Sequence, residues 1–166
     1  MGNKVEDFLY FQDLCLSYGY EEININLGCP FSLVTGRGLG AGLLDKPDEL
    51  NNLLTNIFSV SKCSISLKTR LGNLDFDEFE KLIPIFNNFP ILEIIIHPRI
   101  AKQMYGGEVN ITKFKEYYTK LNAPVIYNGD IDNFIQYTNI KAQCSDIKGV
   151  MIGRGVLKRF KFIRQN

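Results

Sequence analysis

Leu92-Glu93-Ile94-Ile95-Ile96-His97-Pro98-Arg99 sets the fold class of this chain. Leu92 and three successive isoleucines form a short apolar run, the pattern of a strand covered on both faces, as in a parallel sheet. The run then ends abruptly in a histidine, a proline and an arginine. Upstream, Glu22-Ile23-Asn24-Ile25-Asn26-Leu27 alternates polar and apolar, and Ser64-Ile65-Ser66-Leu67-Lys68 is strand-like. Downstream, Pro124-Val125-Ile126-Tyr127 and Gly149-Val150-Met151-Ile152 read the same way. Between these runs the apolar period changes to that of helices. Residues 3–18 carry Val5, Phe8, Leu9, Cys15 and Leu16 on one face and stop at Gly19. Pro47 opens a helix striped by Leu50, Leu53, Leu54, Ile57 and Phe58. Asp75 with Glu78 reads as a capping box before Phe79, Leu82, Ile83 and Phe86. Phe114, Tyr117, Tyr118 and Leu121 mark a further helix, and Asp132 opens another at Phe134 and Ile135.

The order α-β-α-β-α-β-α-β-α-β predicts an α/β fold with a parallel sheet. Two architectures satisfy it: a doubly wound open sheet, or part of a (β/α)8 barrel, which needs about 250 residues. In both, chemistry collects at the C-terminal ends of the strands. Those ends are Asn26-Leu27-Gly28-Cys29-Pro30, Lys68-Thr69-Arg70-Leu71-Gly72, His97-Pro98-Arg99, Asn128-Gly129-Asp130 and Gly153-Arg154-Gly155. Five consecutive strands delivering a thiol, an ammonium, an imidazole, an amide and a guanidinium to one rim are hard to explain by packing alone.

Composition bounds the alternatives. A chain of 166 residues, 45% apolar and 22% charged, suits one compact domain. Nineteen basic residues nearly balance eighteen acidic ones, so net charge carries no nucleic-acid or membrane signal. No run of apolar residues is long enough to span a bilayer, and the first seven residues lack the apolar core of a secretory signal. Cys15, Cys29, Cys63 and Cys144 fit neither a zinc knuckle nor a CxxC pair, and the chain has a single histidine. The expectation is a reducing, cytoplasmic setting with no metal and no membrane partner.

Read together, the strand ends resemble the tRNA-dihydrouridine synthase family, flavin enzymes with a (β/α)8 barrel and a small C-terminal helical domain. The resemblance runs through Asn26–Pro30, Val34–Leu44, Lys68–Gly72, His97–Arg99 with Gln103–Gly107, Asn128–Ile131 and Met151–Gly155, in family order. It implies a TIM-barrel type fold, present in residues 1–166 as an incomplete barrel of about five parallel βα units equivalent to family strands 4–8. On this reading the N-terminal strands and the helical domain are absent. It implies FMN as cofactor, NADPH as electron donor and tRNA as substrate, with uridine reduced to 5,6-dihydrouridine. Pro98, where family members often carry glycine, stiffens the turn after His97.

The resemblance assigns roles residue by residue. Reduction of the uracil 5,6 double bond takes a hydride at C6 and a proton at C5. Flavin carries the hydride, and Cys29 matches the family's proton donor; a thiol is still protonated near neutral pH. Lys68 and His97 match flavin-contacting residues. Asn128, Gly129, Asp130, Gly153 and Arg154 fall in the two loops expected to hold the FMN phosphate. That assignment has its own physical basis, since barrels often bind phosphate after strands seven and eight, where glycines admit the anion to backbone N–H groups and an arginine adds a fixed charge. Asn26 is a candidate partner for a uracil edge. Arg70 is a candidate for contact with substrate, and Arg37 for an RNA phosphate.

Gly36-Arg37-Gly38-Leu39-Gly40-Ala41-Gly42 contains G-x-G-x-x-A, but about ten residues separate it from its strand and no acid ends the next one, so a dinucleotide fingerprint is not supported. It reads instead as a flexible, substrate-facing loop. Lys158-Arg159-Phe160-Lys161-Phe162-Ile163-Arg164 interleaves basic and aromatic residues, as the solvated face of a last barrel helix or as an RNA contact. Two further readings compete: another FMN barrel oxidoreductase acting on free pyrimidines, and an inactive truncated remnant. A five-stranded piece leaves two sheet edges bare, which predicts self-association.

Overall fold

The computed structural model describes residues 4–158. Five parallel strands form one sheet, in the order β1 (Glu22–Leu27), β2 (Ser64–Arg70), β3 (Ile94–His97), β4 (Val125–Tyr127) and β5 (Gly149–Val150). This spatial order is the order of the chain. A doubly wound sheet reverses at a switch point and puts its first strand inside. Here every strand is laid beside its predecessor, which is the winding of a barrel. The fold is therefore α/β with the organisation of a partial TIM barrel. Among the described residues β1 and β5 are each paired on one side only.

Helix α1 (Val5–Ser17) leads into β1. The crossovers are α2 (Ser32–Thr35) with α3 (Pro47–Val60), then α4 (Glu78–Asn87), α5 (Ile111–Tyr118) and α6 (Phe134–Gln143); α7 (Arg154–Lys158) follows β5. Side-chain parity explains how one sheet serves two purposes. Ile23, Ile25 and Leu27 of β1 point into the same core as Ile65 and Leu67, Ile94 and Ile96, and Val125 and Tyr127. Leu50, Leu54, Phe79, Leu82, Phe86, Phe114 and Tyr117 from the helices complete that core. Each such apolar side chain contributes about 1.5–3 kcal/mol on burial. The opposite parity, Asn24, Asn26, Ser66, Lys68, Arg70, Ile95 and His97, lies on the other face of the sheet. That face is polar even away from the strand ends: Asn24 Nδ2 donates to Ser66 Oγ (2.8 Å), which donates to Glu22 Oε1 (2.5 Å). Lys148 reaches from the segment before β5 to Glu93 (2.6 Å).

Several local expectations change in the folded chain. The face α1 buries is Phe8 with Gln12, while Leu16 is exposed. Gln12 Oε1 accepts from the backbone of Lys62 (2.6 Å), anchoring α1 to the turn before β2. The polar side chain is buried because that turn offers it a donor, which an apolar-only reading of the helix omits. Asp75 does not cap α4. The N-cap is Asp77, and Glu78 folds back to accept from the N–H groups of Asn73 (2.6 Å) and Leu74 (3.2 Å). Asn133, not Asp132, caps α6, accepting from Gln136 N (2.9 Å). Leu121 lies beyond the end of α5. Arg159 to Arg164 of the basic stretch lie outside the described residues.

Gly40–Leu43 form a buried 3₁₀ turn rather than a flexible loop. A Cβ on Gly42 would lie 2.4 Å from the carbonyl oxygen of Thr35 and 2.8 Å from its Cα, both rigid backbone atoms. A Cβ on Gly149 would meet nothing within 4 Å. Gly42→Ala is therefore expected to lower the unfolding free energy by roughly 1–3 kcal/mol, and Gly149→Ala to leave it within about 0.5 kcal/mol. Urea denaturation followed by circular dichroism checks both.

Candidate functional site

A cavity of about 340 Å³ opens at the C-terminal ends of the strands. Every strand end reaches it: Asn26 from β1 and Cys29 after it, Lys68 and Arg70 from β2, His97 from β3, Asn128 to Asp132 after β4, and Met151 to Gly155 after β5. The convergence follows from the parity rule, because Asn26 and Lys68 are paired in register, as are Arg70 and His97. The structure thus brings together Cys29, Lys68, His97, Asn128, Gly129, Asp130, Gly153, Arg154, Asn26 and Arg70. Arg37 is exposed in the turn after α2 and is not among the lining residues.

The Cys29 loop is held from both sides. Asn26 Oδ1 accepts from the N–H of Gly28 (2.9 Å) and of Cys29 (3.1 Å), an Asx turn that leaves the Asn26 NH₂ as the group to offer a ligand. Beneath it, Ala41 N donates to the Cys29 carbonyl (3.0 Å). Gly40, at φ +55°, lies so close that a Cβ there would be 2.8 Å from that same carbonyl. The glycine run is the floor of the cysteine loop.

Three cations line the cavity and a fourth, Arg99, lies behind His97 and Asp130; they differ in how they are satisfied. Arg70 is buried, and its guanidinium donates to the carbonyls of Gly28 (3.0 Å), Ile100 (3.1 Å) and Met104 (2.7 Å). It is a fastener between the β1 and β3 loops as well as a wall of the cavity. Arg99 is buried too, and donates to the carbonyls of Gly106 (3.2 Å) and Gly107 (2.7 Å), to His97 Nε2 (3.0 Å) and to both carboxylate oxygens of Asp130. Asp130 bends to meet it at φ +43°, a conformation aspartate tolerates better than most residues. Arg154 is exposed, 3.4 Å from Asp130 and 4.3 Å from the centre of the Tyr105 ring. Lys68 has no ion-pair or hydrogen-bond partner among the described residues. Burial, and secondarily the charge of Arg70, lowers its pKa.

His97 is buried between these cations. Desolvation, then the charges of Arg70, Arg99 and Lys68, drive its pKa down to about 3, so the ring is neutral at pH 7. Burial alone would raise the Asp130 carboxyl, but the hydrogen bonds and charge of Arg99, with His97 and Arg154, outweigh it and hold the pKa below the usual value.

Tyr105 is the site residue to which sequence reasoning gave no role. Its ring lies 5.3 Å from the Arg70 guanidinium and 6.2 Å from the His97 ring, so with Arg154 it joins three functional side chains. Its place in the Gln103–Gly107 segment was the only signal, and nothing local says that the loop folds back over the cavity. Asn128 uses its NH₂ to hold the Met151 carbonyl (2.8 Å), which keeps β4 and β5 in step, and Asn128 itself lines the cavity. Gly129 and Gly153 are glycines for different reasons. A Cβ on Gly129 would press on Val109 (3.0 Å) and Pro98 (3.3 Å), so that glycine answers to packing, whereas Gly153 faces open space.

Among the described residues no group of three or more His, Cys, Asp or Glu side chains is placed to hold a metal ion, and no helix is long and apolar enough to cross a membrane. All four cysteines are free thiols.

The family model described as dihydrouridine synthase (Dus) matches residues 1–165. The chain is 32% identical over 149 residues to "tRNA-dihydrouridine synthase B" of Pasteurella multocida, an alignment covering 86% of this chain and 43% of that protein. It is 30% identical over 164 residues to "Probable tRNA-dihydrouridine synthase" of Staphylococcus aureus, covering 93% and 48% respectively. With "tRNA-dihydrouridine(47) synthase [NAD(P)(+)]-like" of Arabidopsis thaliana it shares 29% identity over 139 residues, covering 81% of this chain and 20% of the relative. The chain spans less than half the length of these curated relatives.

Two titrations bear on stability, and both make acid destabilising. His97 binds its proton in the unfolded chain near pH 6.5 but in the folded chain only near pH 3, so between these values the unfolded state holds more protons. Unfolding free energy is expected to fall as pH drops from 6.5 to 4.5, with a slope of at most about 1.4 kcal/mol per unit. In His97→Gln that part of the slope should vanish. Asp130 contributes above its unfolded pKa of about 3.9 and loses the contribution as pH falls through its lower folded value. Asp130→Asn leaves the buried Arg99 without its carboxylate; since Asp130 is partly solvated, the expected loss at pH 7 is about 2–3 kcal/mol, narrowing below pH 4. Urea melts of both variants across pH measure this.

Proposed function

Because the chain belongs to the dihydrouridine synthase family, we propose that this cavity takes part in the FMN-dependent reduction of tRNA uridine to 5,6-dihydrouridine, with NADPH as the electron donor. The observation that carries the proposal is the convergence of Cys29, Lys68, His97 and Arg154 from four different strand ends on one cavity. The cavity's volume falls in the range of small-molecule sites. Its donor set suits an anionic, planar group: a lysine with no anionic partner among the described residues, a neutral imidazole, an exposed arginine and a glycine whose backbone faces open space. Lys68 and His97 would hold the flavin ring. Asn128, Gly129, Asp130, Gly153 and Arg154 would hold the phosphate, with Gly153 and Arg154 supplying donors directly and Asp130 aiming Arg154.

When bound and reduced, FMN supplies the hydride for C6 of the uracil. The remaining steps belong to the side chains. Cys29 holds a proton on Sγ and delivers it to C5; the thiolate regains it from water. The Asx turn of Asn26 fixes the position of that sulfur, and its NH₂ is free to donate to a uracil carbonyl. Arg70, committed to three carbonyls, acts by shaping the wall on which substrate rests rather than as a mobile contact. Tyr105 offers an aromatic face beside it. Arg37, outside the cavity, is the candidate for an RNA phosphate.

The test is conversion of tRNA lacking dihydrouridine by the chain with FMN and NADPH, followed by nucleoside mass analysis. Cys29→Ala is expected to reduce the rate by about 10²–10⁴-fold while FMN binding, read by flavin fluorescence, is unchanged. Equal yield from the variant removes the proton-donor role. Reduction of free uridine in preference to tRNA would favour the free-pyrimidine reading, and failure to bind FMN would favour an inactive remnant.

A further inference from the structure

We propose that Arg99 is a positioning residue that holds His97 as the neutral Nδ1–H tautomer, so that the imidazole meets the occupant of the cavity as an N–H donor. A guanidinium carries five N–H donors and no acceptor. All five of Arg99 are used: Nε on the Gly106 carbonyl, Nη1 on His97 Nε2 and on Asp130, and Nη2 on the Gly107 carbonyl and on Asp130. The contact between Arg99 Nη1 and His97 Nε2 is 3.0 Å. Because the arginine can only donate, Nε2 must accept, and it accepts only when it carries no proton. The ring's one proton then sits on Nδ1.

Nothing in the surroundings competes with this arrangement. The charged groups facing the ring are Arg70, Arg99 and Lys68, which disfavour imidazolium, and Asp130, whose carboxylate is already engaged by Arg99. Tyr105 flanks the ring at 6.2 Å without a hydrogen bond to it. Nδ1 has no protein partner among the described residues, yet His97 lines the cavity. Gln12 Nε2 is the one fully buried polar side-chain atom without a partner among the described residues, so Nδ1 is reachable from the cavity, where an N–H can meet an acceptor on an occupant. The donor half of the proposal rests on the flavin reading, because an acceptor atom on the cavity's occupant completes it. The tautomer half is a property of the chain alone.

His97 is the only histidine of the chain, so nitrogen-15 labelling of histidine and arginine gives a single imidazole spin system and makes its coupling to Arg99 observable. At pH 7 the full chain is expected to show a protonated, pyrrole-type Nδ1 and a bare, pyridine-type Nε2, with a nitrogen–nitrogen coupling from Arg99 Nη1 across the hydrogen bond. A proton on Nε2, averaged ring signals, an imidazolium, or absence of that coupling overturns the tautomer. In Arg99→Gln, checked as folded by its amide spectrum, the proton is expected to redistribute onto Nε2 and the titration midpoint to rise toward the ordinary value of about 6.5. An unchanged ring spectrum in that folded variant overturns the role of Arg99. If the variant does not fold, the coupling in the unsubstituted chain decides. Added FMN should shift the Nδ1–H resonance and leave Nε2 pyridine-type. Saturating FMN that leaves Nδ1–H unmoved overturns the donor half while the tautomer stands.

Discussion

Arg99 has five N–H groups and almost no water to offer them to. A guanidinium removed from solvent must be met at every donor, or the burial is strongly unfavourable. The chain meets that demand with the end of β3, the segment after β4 and the far side of the loop that follows β3. Two of those pieces lie within eight residues of Arg99, but Asp130 comes from 31 residues away, and the arginine leaves them little freedom of relative position. Arg70 imposes the same kind of demand between the loops after β1 and β3. Most of the cavity's shape follows from satisfying these two cations.

This gives the charges at the rim a hierarchy. Arg70 and Arg99 are consumed by the protein's own carbonyls and by Asp130, and so build the site. Lys68 and Arg154 retain capacity for something else. A reading that gives every cation at a strand end a ligand overlooks this division, because burial depth and carbonyl geometry decide it, and neither is written in residue type.

The architecture was legible in the sequence because it depends on period. Ile94 to Ile96 between polar punctuation, and the alternation from Glu22 to Leu27, specify strands and their faces without reference to the rest of the chain. The position of Asn26, Lys68 and His97 at the C-terminal ends of those strands forecast that they would share a rim. What was not legible depends on tertiary partners. Gln12 is buried because Lys62 N is there to receive it. Gly40 and Gly42 are glycines because Cys29 and Thr35 press on them, not because their loop moves. Tyr105 enters the site because two arginines draw its loop inward. Residues 75–78 carried a correct sign that a helix begins, but the carboxylate of Glu78 went to the turn at Asn73 and Leu74 rather than to a reciprocal cap.

The strictly sequential strand order has a kinetic consequence. Each strand finds its partner in the next βα unit, so among the described residues no pairing waits for a distant part of the chain, and loop closure there stays inexpensive in entropy. The sheet can grow by accretion, one unit templating the next. The two arginine fasteners fit this scheme as late events, since each joins loops from strands that must already be aligned. The scaffold would thus assemble first, and the chemically competent rim would tighten last.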